Sequence, residues 1–317
     1  MGQFAQYACA CRSSRVDRRP RRQDLPEVVA SSGSDSCRGT AGCLYGSAGQ
    51  PRPLQFHPEY GASQFELSLA PGTALEAADR LVRARLVIQR VSRRYGRRCS
   101  FSPKPSLERV GNGGHVHFSV RHQGQPLLEG GAGVAGLTEA GQQLLATLLA
   151  ELPALMALAC PQGLSYGRLG PSSWSAPFQV WGVENREAAL RLIPGAADGA
   201  AAHLELKVSD LGANPYLLLG AVQLLVRQGL AGARTLPPPL SGDPAALPQG
   251  QVPRLPGSLE QAAAAFAASA LLRQGMGEAL HGSLLDSQAA EVRRCALLTP
   301  EQLVATGCWW PLVGGLG

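Results

Sequence analysis

Two imidazoles and a hydroxyl, His115, His117 and Ser119, follow the small-residue run Gly111-Asn112-Gly113-Gly114. Spaced by two, they share one face of a strand and leave Val116, Phe118 and Val120 for the other. Parallel imidazoles beside backbone that a ligand approaches closely suit a metal ion and a phosphate. A half-exposed strand after a glycine turn explains this one stretch equally well. Two further segments repeat the pattern. Gln64, Glu66 and Ser68 alternate with Phe65, Leu67 and Leu69, and His203, Glu205 and Lys207 alternate with Leu204, Leu206 and Val208. In a chain that is only 16% charged, three such faces concentrate scarce chemistry. If the strands share a sheet, Glu66, His115, His117 and Glu205 floor a cleft. Its oxygen and imidazole donors suit Mg²⁺ or Mn²⁺ acting on nucleotide phosphates.

Helices must back those strands. Thr73-Ala74-Leu75-Glu76 reads as a capping box opening a helix to about Tyr95, with Leu75, Ala78, Leu81, Val82 and Leu86 apolar. A second helix is predicted from about Glu139 to Ala159. A third begins at Pro215, where Asn214-Pro215 is a helix start rather than a ligand pair, and runs to about Leu230. After a Pro-rich connection from Thr235 to Pro256, Ser258-Leu259-Glu260-Gln261 is a second capping box before an Ala-rich helix. Strands with one polar face and helices behind them predict an α+β domain.

Composition narrows the classes. The net charge of +6 is concentrated before Leu54, where eight Arg stand against four acids. Arg18-Arg19-Pro20-Arg21-Arg22 has no interleaved aromatic residue, so a solvated arm is expected and neither nucleic acid nor membrane is expected as a partner. The eight cysteines form no pair of CxxC knuckles, which suits free thiols in the cytoplasm. Residues 1–53 show no helical or strand period and are expected to be a disordered or altered Arg/Gly/Ser-rich segment with few contacts to the rest.

Together the motifs resemble the glutamine synthetase family. Its ATP-region signature runs from Lys-Pro through a Gly-rich turn to His, with Ser four residues on. Here it reads Lys104-Pro105, Gly111 to Gly114, His115 and Ser119. Phe56-His57-Pro58-Glu59-Tyr60-Gly61-Ala62-Ser63-Gln64-Phe65-Glu66 resembles the segment with two metal-binding glutamates. Ser165 to Leu169, Glu184 to Arg191, and Glu205 with Asp210 to Tyr216 follow in the family's order. The resemblance covers roughly Leu54 to the C-terminus.

It implies the family's catalytic domain over 54–317, an antiparallel sheet with a polar active-site face backed by helices. It also implies ATP-dependent activation of the glutamate γ-carboxylate and displacement of phosphate by ammonia or a small amine. ATP is then a co-substrate, several Mg²⁺ or Mn²⁺ ions gather the phosphates, and the working form is a homo-oligomeric ring. Carried over by motif, Glu59, Glu66, His115 and Glu205 bind metal. His117, Ser119 and Arg191 meet the nucleotide, and Gly111, Arg168 and Lys207 meet the amino acid. Arg186 and Arg191 steady the phosphoryl group in transfer. Without the resemblance, Arg168 and Arg186 read as surface arginines and Glu59 as a loop residue.

The departures carry information too. Val110 opens the Gly-rich turn, Lys207 stands at the position of a substrate-binding arginine, and His203 replaces a neighbouring one. Where ammonia-using members carry a mobile glutamate, this chain has Trp174, whose indole cannot attract or deprotonate ammonium but can line a pocket for a carbon-bearing amine. This points to the branch that makes γ-glutamyl amides of other amines. The family's N-terminal β-rich domain and its Glu-x-Glu pair find no counterpart before Leu54, as expected of a truncated or frame-altered relative. Three readings follow: a carboxylate–amine ligase, an inactive homologue that keeps the fold and weak metal–nucleotide binding, and an interaction protein working through its basic arm. Stabilisation by Mg-nucleotide separates the third from the others, and turnover separates the first two.

Overall fold

The computed structural model describes residues 3–9, 12–15, 53–196 and 199–308, the first two segments as backbone strands. Its main sheet contains β1 (Gln3–Cys9), β3 (Pro53–Pro58), β4 (Phe65–Leu69), β6 (Gly114–Ser119), β9 (Trp181–Val183), β10 (Leu190–Ile193) and β11 (His203–Leu206). The order is β3-β4-β1-β6-β11-β10-β9. Outside it, β2 (Arg12–Arg15) pairs with β5 (Arg97–Ser100), and β7 (Arg121–His122) with β8 (Gln125–Pro126). The three strands expected to share a sheet do so. Pairing is antiparallel except between β9 and β10, where the chain doubles back through a loop with Glu184 at φ 53°.

At residues 3–9 and 12–15 the N-terminal stretch departs from the expected arm with few contacts; the rest of that expectation, over 16–52, lies outside the described residues. β1 pairs with β4 on one side and β6 on the other, so Gln3–Cys9 is a central strand and not a free arm. The physical reason lies in its neighbours. Without β1, two central strands would each present a row of unpaired backbone groups.

β6 shows how the sequence builds the sheet. Val116 and Phe118 are fully buried while His115, His117 and Ser119 on the other face are half-buried. A register slip of one residue would bury both imidazoles and expose Phe118, so its burial, of the order of 1.5–3 kcal/mol, holds the register. Leu204 and Leu206 of β11 and Leu190 and Leu192 of β10 extend the same apolar face. Packed in that core are α2 (Glu139–Ala159) and α4 (Pro215–Ala231). α2 is long and apolar enough to cross a membrane by composition, yet 72% of its apolar window is buried inside this fold. Pro153 interrupts its ladder and leaves the Leu149 carbonyl without a helical donor. Gln179 Nε2 donates to that oxygen at 2.8 Å.

α1 (Ala74–Arg94) starts with the expected capping box, Thr73 and Glu76 bonding reciprocally. Asn214 caps α4 by accepting from Tyr216 N and Leu217 N. Ser258 caps α5 (Leu259–Ala268), but Gln261 reaches back to the N–H of Gly257 instead of Ser258, so the second box is half formed. α3 (Gly163–Tyr166) follows α2, and after α4 the Pro-rich connection lies along β9, where Trp181 Nε1 donates to Pro237 O and Leu240 N to Trp181 O. α6 (Ala270–Met276), α7 (Glu278–Ala296) and α8 (Pro300–Gly307) complete the described chain.

Candidate active site

β6 and β11 place His115 and His117 alongside Glu205, whose register partner is His117. Glu205 is the hub. One oxygen lies 2.9 Å from His115 Nδ1, 3.7 Å from His117 Nε2 and 3.5 Å from Lys207 Nζ. The other lies 3.3 Å from Arg191 Nη1. Arg191, on β10 directly opposite Glu205, also pairs with Glu184. The His203 ring sits 5.3 Å from that of His117.

Burial sets the charge states. It lowers His117 to about 3 against the pull of Glu205, and it lowers His115 although the Glu205 hydrogen bond opposes it. Burial also resists the charge on Glu205, but the His115 hydrogen bond and the neighbouring Lys207 hold it well below the usual carboxylate range. The cluster is therefore an ionised Glu205 between neutral imidazoles, with Lys207 and Arg191 as counter-cations. Lys207, expected to meet substrate, is buried and turned toward this carboxylate.

Across the sheet, burial raises Glu66, and the charges of Glu59 and Glu205 add to the effect. Glu66 is thus repelled by both other carboxylates, and carboxylate oxygens with a neutral imidazole are donor types that suit a hard divalent cation. Among the described residues, however, no group of three or more His, Cys, Asp or Glu is assembled closely enough to hold one. The expected ligands stand in two halves, Glu59 with Glu66 and His115 with Glu205.

The Gly-rich turn meets both halves. A Cβ at Gly111 would lie 2.5 Å from Arg168 Cγ, so glycine is what lets the turn press on that arginine. Arg168 Nη2 donates to Ser209 O at 3.3 Å, and Asp210 adds an opposite charge nearby. Gln64 binds the turn from the glutamate side: its Nε2 donates to Gly111 O at 3.0 Å and to Asn112 Oδ1 at 2.7 Å. Neither residue stands out as a tether in the sequence, although Gln64 falls within the family-like segment. Ser119 ends β6, and Arg186 lies exposed in the β9–β10 loop.

Trp174 stands 55% exposed, in a loop where Ser172, Trp174 and Ala176 all have positive φ. Its ring meets Tyr60 edge-on at 5.7 Å, and its backbone N–H donates to Glu187 Oε1 at 3.0 Å. Non-glycine residues adopt such φ values at a cost, and they cluster where function demands it.

The profile of the glutamine synthetase catalytic domain matches residues 45–303. The chain belongs to the glutamine synthetase family. It is similar to the γ-glutamylpolyamine synthetase GlnA3 of Streptomyces coelicolor, with 40% identity over 80% of this chain and 56% of that protein. It is also similar to a glutamate–isopropylamine ligase of a Pseudomonas species, with 31% identity over 68% of this chain and 47% of that one. Among solved structures, a GmaS–ADP complex superposes with a TM-score of 0.79 at 26% identity, over 96% of this chain and 73% of that one. The chain thus spans about half the length of these curated relatives. The catalytic-domain fold is that of the family.

Proposed function

We propose that this chain is the phosphoryl-transfer half of a ligase that joins the γ-carboxylate of glutamate to a carbon-bearing amine with ATP. The Glu205 hub carries the reading: imidazoles, arginine and lysine gather on one face of the sheet, with the Gly111–Arg168 contact beside them. In the proposed reaction a γ-carboxylate oxygen attacks the terminal phosphorus of ATP and ADP leaves. The amine nitrogen then attacks the acyl carbon, loses a proton, and phosphate departs.

Arg168, anchored by Ser209 and shaped by Gly111, takes a carboxylate of glutamate. Arg191 is held by Glu205 and Glu184 with its guanidinium oriented before substrate arrives, which suits a donor to the phosphoryl oxygens. Arg186, with no ion pair among the described residues, is free to join it. His117, held neutral, and Ser119 lie toward the nucleotide. His115 with Glu205, and Glu59 with Glu66, would hold divalent cations, Mg²⁺ or Mn²⁺, which would supply neutralisation of phosphate charge. The GmaS–ADP complex supports a nucleotide position in this fold.

Trp174 and Tyr60 supply an aromatic wall where a carboxylate would favour ammonium. Such faces bind an alkylammonium through apolar contact and cation–π attraction. The names of the polyamine and isopropylamine relatives agree with that choice. A ring-forming homo-oligomer is proposed as the working assembly.

One observation favours the inactive reading: β1, between the two ligand-bearing strands, contains no Asp or Glu. Thermal stabilisation by Mg-ATP and phosphate release with glutamate and a panel of amines test both. We expect nucleotide binding, slow ligation, and alkylamines or amino alcohols preferred to ammonia. Brisk glutamine formation from ammonia would overturn the reading of Trp174, and absence of Mg-ATP binding would overturn the whole assignment.

A further inference from the structure

Gln64 is 5% exposed, and its amide has no hydrogen to spare. Oε1 accepts from the Gly61 N–H at 2.9 Å, while Nε2 donates to Gly111 O at 3.0 Å and to Asn112 Oδ1 at 2.7 Å. The backbone closes the same loop, because Glu59 N donates to Gln64 O and Gln64 N to Gly61 O, each at 2.9 Å. Asn112, itself buried, carries the connection onward. Its Nδ2 donates to Ser102 O and its backbone N–H to Pro103 O, both at 2.8 Å. A buried polar network with its bonds made specifies one geometry.

That geometry fixes Arg168, which lies along the Gly-rich turn from stem to head. A Cβ at Gly111 would meet Arg168 Cγ at 2.5 Å, and one at Gly113 would lie 3.6 Å from Arg168 Nη1. Arg168 Nη2 shares the Ser209 carbonyl with the N–H of Gly114. Residues 107–110, which lead into the turn, are exposed. Gln64 and Asn112 therefore hold the first half of the turn, and Ser209 holds its end. Removing the Gln64 amide takes a donor from Gly111 O and frees the turn to leave the arginine stem.

We propose that Gln64 is a positioning residue for the amino-acid substrate: through Gly111 and Asn112 it holds Arg168 in the pose that receives a glutamate carboxylate. The proposal rests on the assignment of Arg168 to that carboxylate. His117 and Ser119 are set instead by the pairing of β6 with β1 and β11, so nucleotide binding should be indifferent to Gln64.

Gln64→Met keeps the side-chain length and loses all three hydrogen bonds. Gln64→Glu keeps the acceptor toward Gly61 and turns a second oxygen toward Gly111 O and Asn112 Oδ1. The full chain and whichever variant keeps its circular dichroism are compared in three titrations: Mg-ADP by calorimetry, Mn²⁺ by electron paramagnetic resonance, and L-glutamate by nuclear magnetic resonance with Mg-ADP saturating. Glutamate should bind about tenfold more weakly to the variant, the size of one net hydrogen bond, with Mg-ADP within about twofold of the parent. A merely structural role would weaken both together. Equal losses of glutamate and Mg-ADP, a larger loss of Mn²⁺ than of glutamate, or unchanged glutamate affinity would each overturn the proposal. A parent chain that binds Mg-ADP but no glutamate would overturn the assignment of Arg168, and this proposal with it.

Discussion

Replacing Glu205 by glutamine tests the charge balance of the cluster most directly. Glutamine keeps the shape and removes the one negative charge that Lys207 and Arg191 share. Arg191 retains Glu184, whereas Lys207, with its side chain 6% exposed, has no other ion pair among the described residues. The loss therefore falls mainly on a buried ammonium. Removing one partner of a buried pair costs about 3–5 kcal/mol. At about 2–4 °C per kcal/mol for a domain of this size, the melting temperature should fall by roughly 6–20 °C at pH 7. Calorimetric melts of the metal-free chain would show it. The double substitution Glu205→Gln with Lys207→Met should recover a large part of the loss, because it removes the stranded cation. Acidity adds a second check. Glu205 is held below the usual carboxylate range, so its contribution is present above that range and disappears as pH falls through its folded value. The gap between parent and variant should close in acid. A Glu205→Gln chain that melts with the parent at pH 7 would refute the hub.

Gln179→Ala should cost about 1–3 kcal/mol by leaving the Leu149 carbonyl buried without a donor, and adding Pro153→Ala should restore most of it by returning the helical N–H; urea unfolding of the single and double variants decides this. His117 is held near 3 against a usual 6.5, so the folded chain refuses a proton that the unfolded chain accepts between those values. Stability is full above 6.5 and declines toward about 3, by up to roughly 5 kcal/mol at about 1.36 kcal/mol per pH unit. His117→Gln should flatten that slope in denaturant titrations of the metal-free chain, and an unchanged slope would count against a buried neutral imidazole.

What was legible in the sequence was local. β4, β6 and β11 each alternate within a few residues, and Thr73 and Asn214 announce their helices at the cap itself. The Glu205 contacts with His115 and Lys207 follow once the strands share a sheet. Pairs set only by the folded chain were not legible: Gln64 with Asn112, Arg191 with Glu184, Gln179 with the carbonyl freed by Pro153. β1 belongs with these. Gln-Phe-Ala-Gln-Tyr-Ala-Cys does not alternate, so no period betrays it. The open edges of β4 and β6 select it, and context of that kind overrides local preference in strands.

That placement leads to a gain-of-function prediction. Because β1 separates β4 from β6, and Glu66 pairs with Cys9 while His115 pairs with Tyr7, Glu66 and His115 stand two strand spacings across and two residues along, about 12 Å apart at the backbone. Ligand bonds to a hard cation are about 2–2.6 Å long, so a donor from the intervening strand is needed to draw the two halves into one site. Tyr7 holds that position, as the register partner of both His115 and Ser68, while Cys9 pairs with Glu66. None of the seven residues of β1 is acidic. In the proposed reaction, phosphoryl transfer depends on charge compensation built in before reaction, so a neutral strand at this position would weaken the chemical step more than the binding of nucleotide. Tyr7→Glu should therefore tighten Mn²⁺ binding severalfold, read as the loss of free-ion signal in electron paramagnetic resonance. It should also raise phosphate release with an alkylamine. Tyr7→Gln, equal in size and neutral, should do neither. If both variants bind Mn²⁺ as the parent does, the missing charge lies elsewhere and β1 is only a spacer in the sheet.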